Sequence, residues 1–325
     1  MSVLVNPVVM IGMFWVVPTG LALLDGPRPP FWDPLRRAWP LLAVPGALAL
    51  WLPRSGLATA LAAVYALATL ALALQAPARL MLTRSLRPSE IAVLSALVAP
   101  SVAGLALVAE RASYPLFGFD LDLLALTVPH FHFAGFAAAL VAGLVSRTSD
   151  SPAARVAALS VPAGTLLVLL GYFVDDWAEL AGAVVLTAGM AAVSVLTLRE
   201  RRELAADRLT RGLLAVSALV LVVTMLLALS WALGEATGLP HLSLTWTAAT
   251  HGLGNALGFA VCALLARRRL RTDRTGRRLR TDRTGSRPPT DAARGCPRTD
   301  RTGRRPRTDR TTPSLPTRPR TELPA

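Results

Sequence analysis

The sequence predicts an all-α polytopic membrane protein with about nine transmembrane helices. Three observations predict this class: 53% of the 325 residues are hydrophobic, apolar runs of about 20 residues recur along the chain, and the charged residues gather between those runs. A helix of that length crosses the ~30 Å hydrocarbon core of a bilayer. The lipid bilayer is therefore the first partner that the sequence implies.

The apolar runs define the predicted spans, read with a window of about 19 residues. They are 4–24, 38–52, 56–76, 89–109, 121–146, 153–173, 178–198, 210–233 and 242–266. The second run is short and interrupted by proline, so a re-entrant or tilted segment is the alternative to a full crossing there.

Arginine is distributed unequally between the two sets of loops that these spans create. The loops on the side of the C-terminus hold 13 arginines, and the opposite loops hold two, Arg54 and Arg111. The positive-inside rule assigns the arginine-rich loops to the cytoplasm. The sequence thus predicts an N-terminus outside, a C-terminus inside, and a location in the bacterial cytoplasmic membrane.

The C-terminal part of the chain differs from the rest. The hexapeptide RTDRTG, once ending in Thr, recurs there with a nine-residue period, and one copy is degraded. An array of Arg, Thr, Asp and Pro cannot bury a core. We therefore predict a transmembrane helical bundle over 1–266 and a disordered, arginine-rich cytoplasmic tail over 267–325. A duplication in the coding DNA explains the repeat without a function; the alternative is contact with anionic lipid headgroups or RNA, without specific nucleic-acid recognition.

Three histidines lie at the same predicted depth on two spans. His130 and His132 come 9 to 11 residues into the fifth span, which is roughly 14–17 Å and near the middle of the bilayer. His251 has a similar depth in the ninth span, which runs in the same direction. Pro129 kinks the fifth span directly before its histidines. Because ionisable side chains at this depth favour function, we predict a midplane histidine layer.

Helical periodicity groups further polar residues with these histidines. Thr247, His251 and Asn255 follow one another at four-residue spacing, with glycines on the same face, and His132 begins a stripe of small residues. Small residues let transmembrane helices approach closely. The predicted substrate-binding or ion-binding residues are His130, His132, His251, Asn255 and Thr247.

Imidazole chemistry leaves several roles open for this layer. A neutral imidazole binds haem iron or copper and also relays protons. His130 and His132 diverge by about 200° on a regular helix, so either of them is expected to pair with His251 across the interface. If a metal or haem is held, His132 and His251 are the predicted ligands, although the sequence requires no cofactor. The remaining alternative is that the histidines only join helices.

Acidic residues cluster at the loop ends opposite the arginine-rich side. They are Asp120, Asp122, Asp175, Asp176 and Glu235. Such residues are either solvated loop ends or an outer acidic vestibule that gathers cations above a site. The spans contain no HExxH, GxSxG or P-loop motif, so the sequence indicates no catalytic residues and does not favour an enzyme.

The segments HFHFAGF and HGLGNALGF together resemble the YndJ-like family of bacterial integral membrane proteins. The resemblance covers roughly 1–266 and excludes the repeat tail. It implies a multi-pass membrane protein, with a transporter role by analogy only, and it supplies no catalytic residues. Three functions therefore stay open: a transporter of a small solute or cation, a redox or metal protein holding haem or copper between the fifth and ninth spans, and a structural membrane protein.

Overall fold

The computed structural model describes residues 2–204 and 207–285, which fold almost entirely into helices. No strand occurs within these ranges. The described residues up to Arg278 belong to one compact unit. The all-α prediction is confirmed.

The described helices follow the predicted spans closely, and we name them in chain order. They are α1 (Ser2–Ile11, Gly12–Val16 and Val17–Leu23), α2 (Trp32–Trp51), α3 (Gly56–Ala73 and Gln75–Thr83), α4 (Pro88–Arg111), α5 (Leu121–His130, Phe131–Ala137 and Ala138–Ser146), α6 (Pro152–Gly171), α7 (Asp176–Glu203), α8 (Arg208–Thr237) and α9 (Leu244–Thr247, Ala248–Gly252, Gly254–Val261 and Cys262–Gly285). A short 3-10 turn, Leu116–Gly118, precedes α5.

Within the described ranges, eight helices are long and apolar enough to cross a membrane. The remaining one is α2, whose first turns carry Asp33, Arg36 and Arg37. These charges explain why the hydropathy signal begins only near residue 38 although the helix begins at Trp32. The orientation of the helices relative to the bilayer stays a prediction.

Helix α2 lies antiparallel to α1 along most of its length. At one end, the amide of Asn6 donates to the carbonyl oxygen of Leu50 over 2.9 Å. Further along, the indole of Trp39 donates to the carbonyl oxygen of Met13 over 2.8 Å. A continuous helix of 20 residues is about 30 Å long, so α2 has the length of a full crossing rather than the broken shape of a re-entrant loop.

Glycines bring α6 and α7 into backbone contact. A Cβ atom added at Gly164 or Gly171 of α6 would lie 2.5 Å from backbone atoms of α7. A Cβ added at Gly182 or Gly189 of α7 would lie 2.5 or 2.9 Å from backbone atoms of α6. On each helix the two glycines are seven residues apart, which is two turns, so they lie on one face. The pair is thus a close-packed antiparallel hairpin.

Buried arginine–glutamate contacts join the helix ends. At one end of α4, the carboxylate of Glu90 binds Arg79 of α3 and lies 3.1 Å from Arg147. At the other end, Glu110 binds Arg111 and lies 3.0 Å from Arg54. We call the Glu90 group the inner clamp and the Glu110 group the outer clamp, after their predicted sides.

A third buried ion pair ties α9 to α7. Arg267 lies 2.9 Å from the carboxylate of Glu200. Beyond it, α9 continues through the predicted boundary at 266 as far as Gly285. The predicted disorder of the tail, in 286–325, lies outside the described residues.

Candidate functional site

Within the described residues, π-helical turns widen α1, α5 and α9. They are Gly12–Val16, Phe131–Ala137, Ala248–Gly252 and Gly254–Val261. The segment of α1 contacts that of α5, and both contact the second segment of α9. Because π-helical turns occur frequently at functional sites, this meeting point is the candidate site.

Proline explains where the π-helical turn of α5 begins. Pro129 has no N–H group and cannot complete the hydrogen-bond pattern of an α-helix. The wider turn starts two residues later, at Phe131, and includes His132. The disturbance that the sequence places next to the histidines is therefore present in the structure.

His132 is fully buried and both of its ring nitrogens have partners. Its Nδ1 lies 2.7 Å from the carbonyl oxygen of Val128, and its Nε2 lies 2.6 Å from the hydroxyl of Tyr65 on α3. A carbonyl oxygen only accepts, so Nδ1 carries the hydrogen. The neutral ring then accepts a hydrogen bond from Tyr65 at Nε2.

Aromatic rings enclose this Tyr65–His132 pair. The two rings are nearly parallel, with centroids 6.1 Å apart, and Trp39 of α2 meets the Tyr65 ring edge-on at 6.3 Å. On the other side, His132 packs against Gly12 of α1, where an added Cβ would lie 2.9 Å from the Cβ of His132. The pair thus connects α3 to α5 in a site that α1 and α2 close.

His251 belongs to a different hydrogen-bonded group. Its Nδ1 donates to the backbone carbonyl oxygen of Thr224 on α8 over 2.7 Å. The hydroxyl of Thr224 donates to Oδ1 of Asn255 over 2.7 Å. The Asn255 amide nitrogen lies 3.1 Å from Nε2 and 3.5 Å from Nδ1 of His251. Such similar distances place the amide over the ring face, so it does not occupy the in-plane lone pair of Nε2.

The other two predicted site residues lie near this second group. His130 is exposed on the surface of α5 and interacts electrostatically with His251. Thr247 is buried on α9, one turn before His251. The three histidines of the predicted layer therefore do not share one set of partners: His132 binds Tyr65, whereas His251 binds the carbonyl oxygen of Thr224 and interacts electrostatically with His130.

The hydrogen bonds of His132 and His251 determine which ring nitrogen is open to a metal ion. Coordination through Nε2 of His132 would displace the Tyr65 hydroxyl, whereas Nε2 of His251 keeps its in-plane lone pair. Among the residues that the structure describes, no group of three or more His, Cys, Asp or Glu side chains is placed to hold a metal ion.

Sequence reasoning missed Tyr65, Trp39 and Thr224, which are the partners that the fold supplies. One signal could have found Tyr65, because it is the only one of the three tyrosines that lies away from the ends of a predicted span. A polar aromatic residue in the middle of an apolar run needs a hydrogen-bond partner when it is buried. Thr224 had no comparable signal.

The acidic residues at the predicted outer end have local roles in the helix termini. Asp120 and Asp175 cap the N-termini of α5 and α7, each accepting from a backbone N–H over 2.8 Å. Asp122 and Asp176 lie in the first turns of the same helices. Glu235 lies 2.6 Å from Nε2 of His241. Carboxylates at helix N-termini stabilise the helix dipole.

Aromatic contacts bring the loops before α5 and α7 together. The ring of Phe119 lies 6.2 Å from that of Tyr172 and 5.2 Å from that of Phe173. Burial raises the pKa of Tyr172, and the neighbouring charge of Glu179 raises it further. The acidic helix starts that the sequence singled out therefore lie beside one another at one end of the bundle.

The comparison with known families supports the resemblance that the segments HFHFAGF and HGLGNALGF indicate. No curated protein and no solved structure matches the chain. A family described as YndJ-like protein matches residues 7–259, which include α1 to α8 almost completely and the histidine segments of α5 and α9. The chain belongs to the YndJ-like family.

Proposed function

We propose that the protein is a proton-coupled cation transporter in which the Tyr65–His132 pair binds and releases the proton. The observation that supports this most directly is the hydrogen bond between the Tyr65 hydroxyl and Nε2 of His132. In the neutral pair the hydroxyl donates. After protonation Nε2–H donates to the hydroxyl oxygen instead, so the pair can hold a proton without losing its mutual bond.

The surroundings of the pair supply the means to couple proton binding to movement. His132 lies in a π-helical turn that meets those of α1 and α9, and such turns interrupt the regular backbone hydrogen bonds. A charged ring in the membrane interior favours rearrangements that bring it water or a counter-charge. Protonation of His132 is thus the event that drives a change in helix packing.

The acidic helix starts indicate the class of solute. They concentrate negative charge where the aromatic loops meet, and such a surface attracts cations. We therefore assign Asp120, Asp122, Asp175 and Asp176 at these helix starts, together with Glu235 near the C-terminal end of α8, to an entrance for cations.

The test is cation-dependent proton movement in proteoliposomes that contain a pH-sensitive dye. An imposed Na⁺ or K⁺ gradient should change the internal pH, and Tyr65→Phe or His132→Gln should slow this change about tenfold or more. Tyr114→Phe alters an exposed loop tyrosine and serves as the matched control. Either the absence of cation-dependent proton movement in the unaltered protein or full activity in both site variants would refute the proposal.

A second candidate is a haem or copper protein, favoured by the in-plane lone pair on Nε2 of His251, which the Asn255 amide does not occupy, and by the electrostatic interaction between His130 and His251. These two rings come from α5 and α9 and would supply imidazole nitrogens to a haem iron or to copper. The purified protein should then show a Soret band or stoichiometric copper that His251→Ala abolishes. A colourless protein without bound metal would leave the transporter proposal, and loss of stability alone in the histidine variants would indicate a structural protein.

We also propose that the protein lies in the bacterial cytoplasmic membrane with its N-terminus outside and its C-terminus inside. The two cysteines provide the test, since Cys296 lies in the tail and Cys262 in α9. With Cys262 replaced by alanine, a membrane-impermeant maleimide should label Cys296 only after the cells are permeabilised. Labelling in intact cells would reverse the orientation. With the C-terminus inside, as proposed, the arginines of 267–325 would lie on the side of the anionic headgroups of the inner leaflet.

A further inference from the structure

A cleft of about 580 Å³ opens where α2 ends and α3 begins. Its lining includes Asn6, Leu50, Trp51, Leu52, Arg54 and Arg111. This is the end of the bundle that the arginine distribution predicts to face outside. Neither Tyr65 nor His132 lines the cleft, and the proposed transport function does not use it.

The two arginines of the cleft are those that the sequence assigns to the outer loops. They lie 57 positions apart in the chain, and both bind the single carboxylate of Glu110, which is only 2% exposed. Two guanidinium groups facing one carboxylate leave a net positive charge on the wall of the cleft. Such a surplus on the arginine-poor side of the protein suggests an anionic ligand.

The two arginines differ in how many of their nitrogen atoms donate hydrogen bonds to the protein. Arg111 donates to Glu110 through Nε and one terminal nitrogen, and its other terminal nitrogen donates to the carbonyl oxygens of Ala49 and Leu52, at 3.2 and 3.0 Å. Arg54 contacts Glu110 through Nε over 3.0 Å, and its side chain is 43% exposed. The contact with Glu110 therefore orients Arg54, and among the described residues its terminal nitrogens have no hydrogen-bond partner.

A helix N-terminus adds to the positive potential. Helix α3 begins at Gly56, two residues after Arg54, and Ser55 caps it by accepting from the backbone N–H of Ala58. The first backbone N–H groups of a helix and its dipole favour a nearby anion.

Apart from Asn6, the rest of the lining is apolar and suits a membrane-bound ligand. Leu50 and Leu52 face the cleft, and Trp51 is 59% exposed beside it. Tryptophan prefers the headgroup level of a bilayer, where one side is apolar and the other wet. A site with a guanidinium fork above such a wall matches a phosphate group that is attached to a lipid.

We propose that this cleft binds the phosphate group of an anionic phospholipid, with Arg54 as the residue that contacts the phosphate. Arg111 and Glu110 hold Arg54 in place, and Trp51 packs against the glycerol and upper acyl region. Inorganic phosphate shares the chemistry of the headgroup but lacks the apolar part, so it should bind far more weakly.

The experiment titrates phosphatidylglycerol into the full-length protein in detergent and counts bound lipids by native mass spectrometry. Phosphatidylcholine is the reference lipid. Arg54→Gln should weaken phosphatidylglycerol binding about tenfold, and Arg54→Lys should weaken it less because the charge remains. Arg28→Gln is the matched control, since Arg28 is an exposed arginine that pairs with Asp33 away from the cleft. All variants keep the arginine-rich tail, so its lipid binding cancels in the comparison.

Two results would overturn the proposal. One is an equal effect, or no effect, of Arg54→Gln and Arg28→Gln when both proteins have unchanged melting temperatures. The other is displacement of the lipid by inorganic phosphate at a concentration similar to that of the lipid, which would make a soluble phosphate the ligand. If Arg54→Gln fails to fold, Arg54→Lys decides the matter: binding of phosphatidylglycerol no tighter than that of phosphatidylcholine in this folded variant refutes it.

Discussion

The hydroxyl of Tyr65 lies 2.6 Å from Nε2 of His132, and this bond joins α3 to α5 in the interior of the helix bundle. Replacing Tyr65 by Phe keeps the ring between Trp39 and His132 but leaves a buried ring nitrogen without a partner. We expect a loss of about 1–3 kcal/mol in the free energy of unfolding, measured by denaturant titration in detergent.

The control for this variant is Tyr114→Phe, which removes a hydroxyl from an exposed loop tyrosine. It should leave the free energy of unfolding unchanged within error. If both variants are equally stable, the hydroxyl of Tyr65 contributes nothing to the fold, and its bond to His132 would be incidental.

The glycine contact between α6 and α7 gives a second prediction. Gly164→Ala places a Cβ 2.5 Å from backbone atoms of Leu186, so the helices must separate. We expect a destabilisation of about 1–3 kcal/mol, read from the thermal unfolding of the purified protein.

Gly212→Ala is the matched substitution, because Gly212 lies in α8 where an added Cβ would meet open space among the described residues. Alanine is a better helix former than glycine, so this variant should be more stable by about 0.5–1 kcal/mol. Opposite signs for the two variants would support the close contact; a stabilising effect of Gly164→Ala would contradict it.

Removing the negative charge of Glu90 from the inner clamp should strongly lower the free energy of unfolding. Glu90→Gln leaves Arg79, whose side chain is 4% exposed, without its counter-charge, and it also weakens the contact with Arg147. The free energy of unfolding should fall by about 3–5 kcal/mol, because an uncompensated charge then stays buried.

An exposed ion pair provides the comparison. Asp33 lies 3.4 Å from Arg28, and both side chains are partly in contact with solvent. Asp33→Asn should therefore cost less than about 1 kcal/mol. Similar costs for the two substitutions would show that burial of the Glu90 group has no energetic consequence.

His241 predicts a dependence of stability on pH. The backbone carbonyl oxygen of Leu239 and the carboxylate of Glu235 both accept hydrogen bonds from its ring, and they raise the pKa of His241. A raised pKa in the folded state means that folding favours the protonated ring. Its contribution to stability is complete below the unfolded pKa of about 6.5, and it is lost as the pH rises through the higher folded pKa.

The measurement compares the melting temperatures of the unaltered protein and His241→Gln from pH 5 to pH 9, a range of about four units around the histidine pKa. The difference should be largest at the acidic end and shrink toward the alkaline end. Glu235→Gln keeps the Leu239 contact and should reduce the dependence only in part. A difference that grows with pH would show that the neutral ring is the favoured form.

Most of the helix layout could be predicted because the length of an apolar run is a direct physical requirement of the bilayer. The start of α2 could not, since Arg36 and Arg37 lower the hydropathy of its first turns. The close contact of α6 and α7 could be predicted in part. The short loop between the two helices makes them neighbours, and the seven-residue spacing of glycines on each helix indicates the face that makes the contact.

The partners of the histidines could not be predicted, for a geometric reason. Depth depends only on position along a helix, whereas the direction in which a side chain points depends on every turn before it. A π-helical turn adds a residue and rotates the later part of the helix by about 100° relative to a regular helix. His132 and His251 both lie in such turns. The helix faces predicted from a regular 3.6-residue period are therefore rotated there, and His132 faces Tyr65.

The two clamps also set a length. Glu90 and Glu110 lie at opposite ends of α4 and about 20 residues apart, which is roughly 30 Å along a helix and equal to the hydrocarbon thickness of a typical bilayer. The inner clamp joins α4 to Arg79 and Arg147 and the outer clamp joins it to Arg54, so α4 cannot tilt or slide without breaking these ion pairs. In a thinner or thicker bilayer the helix bundle should therefore keep its length, and the lipid around the protein should change its local thickness.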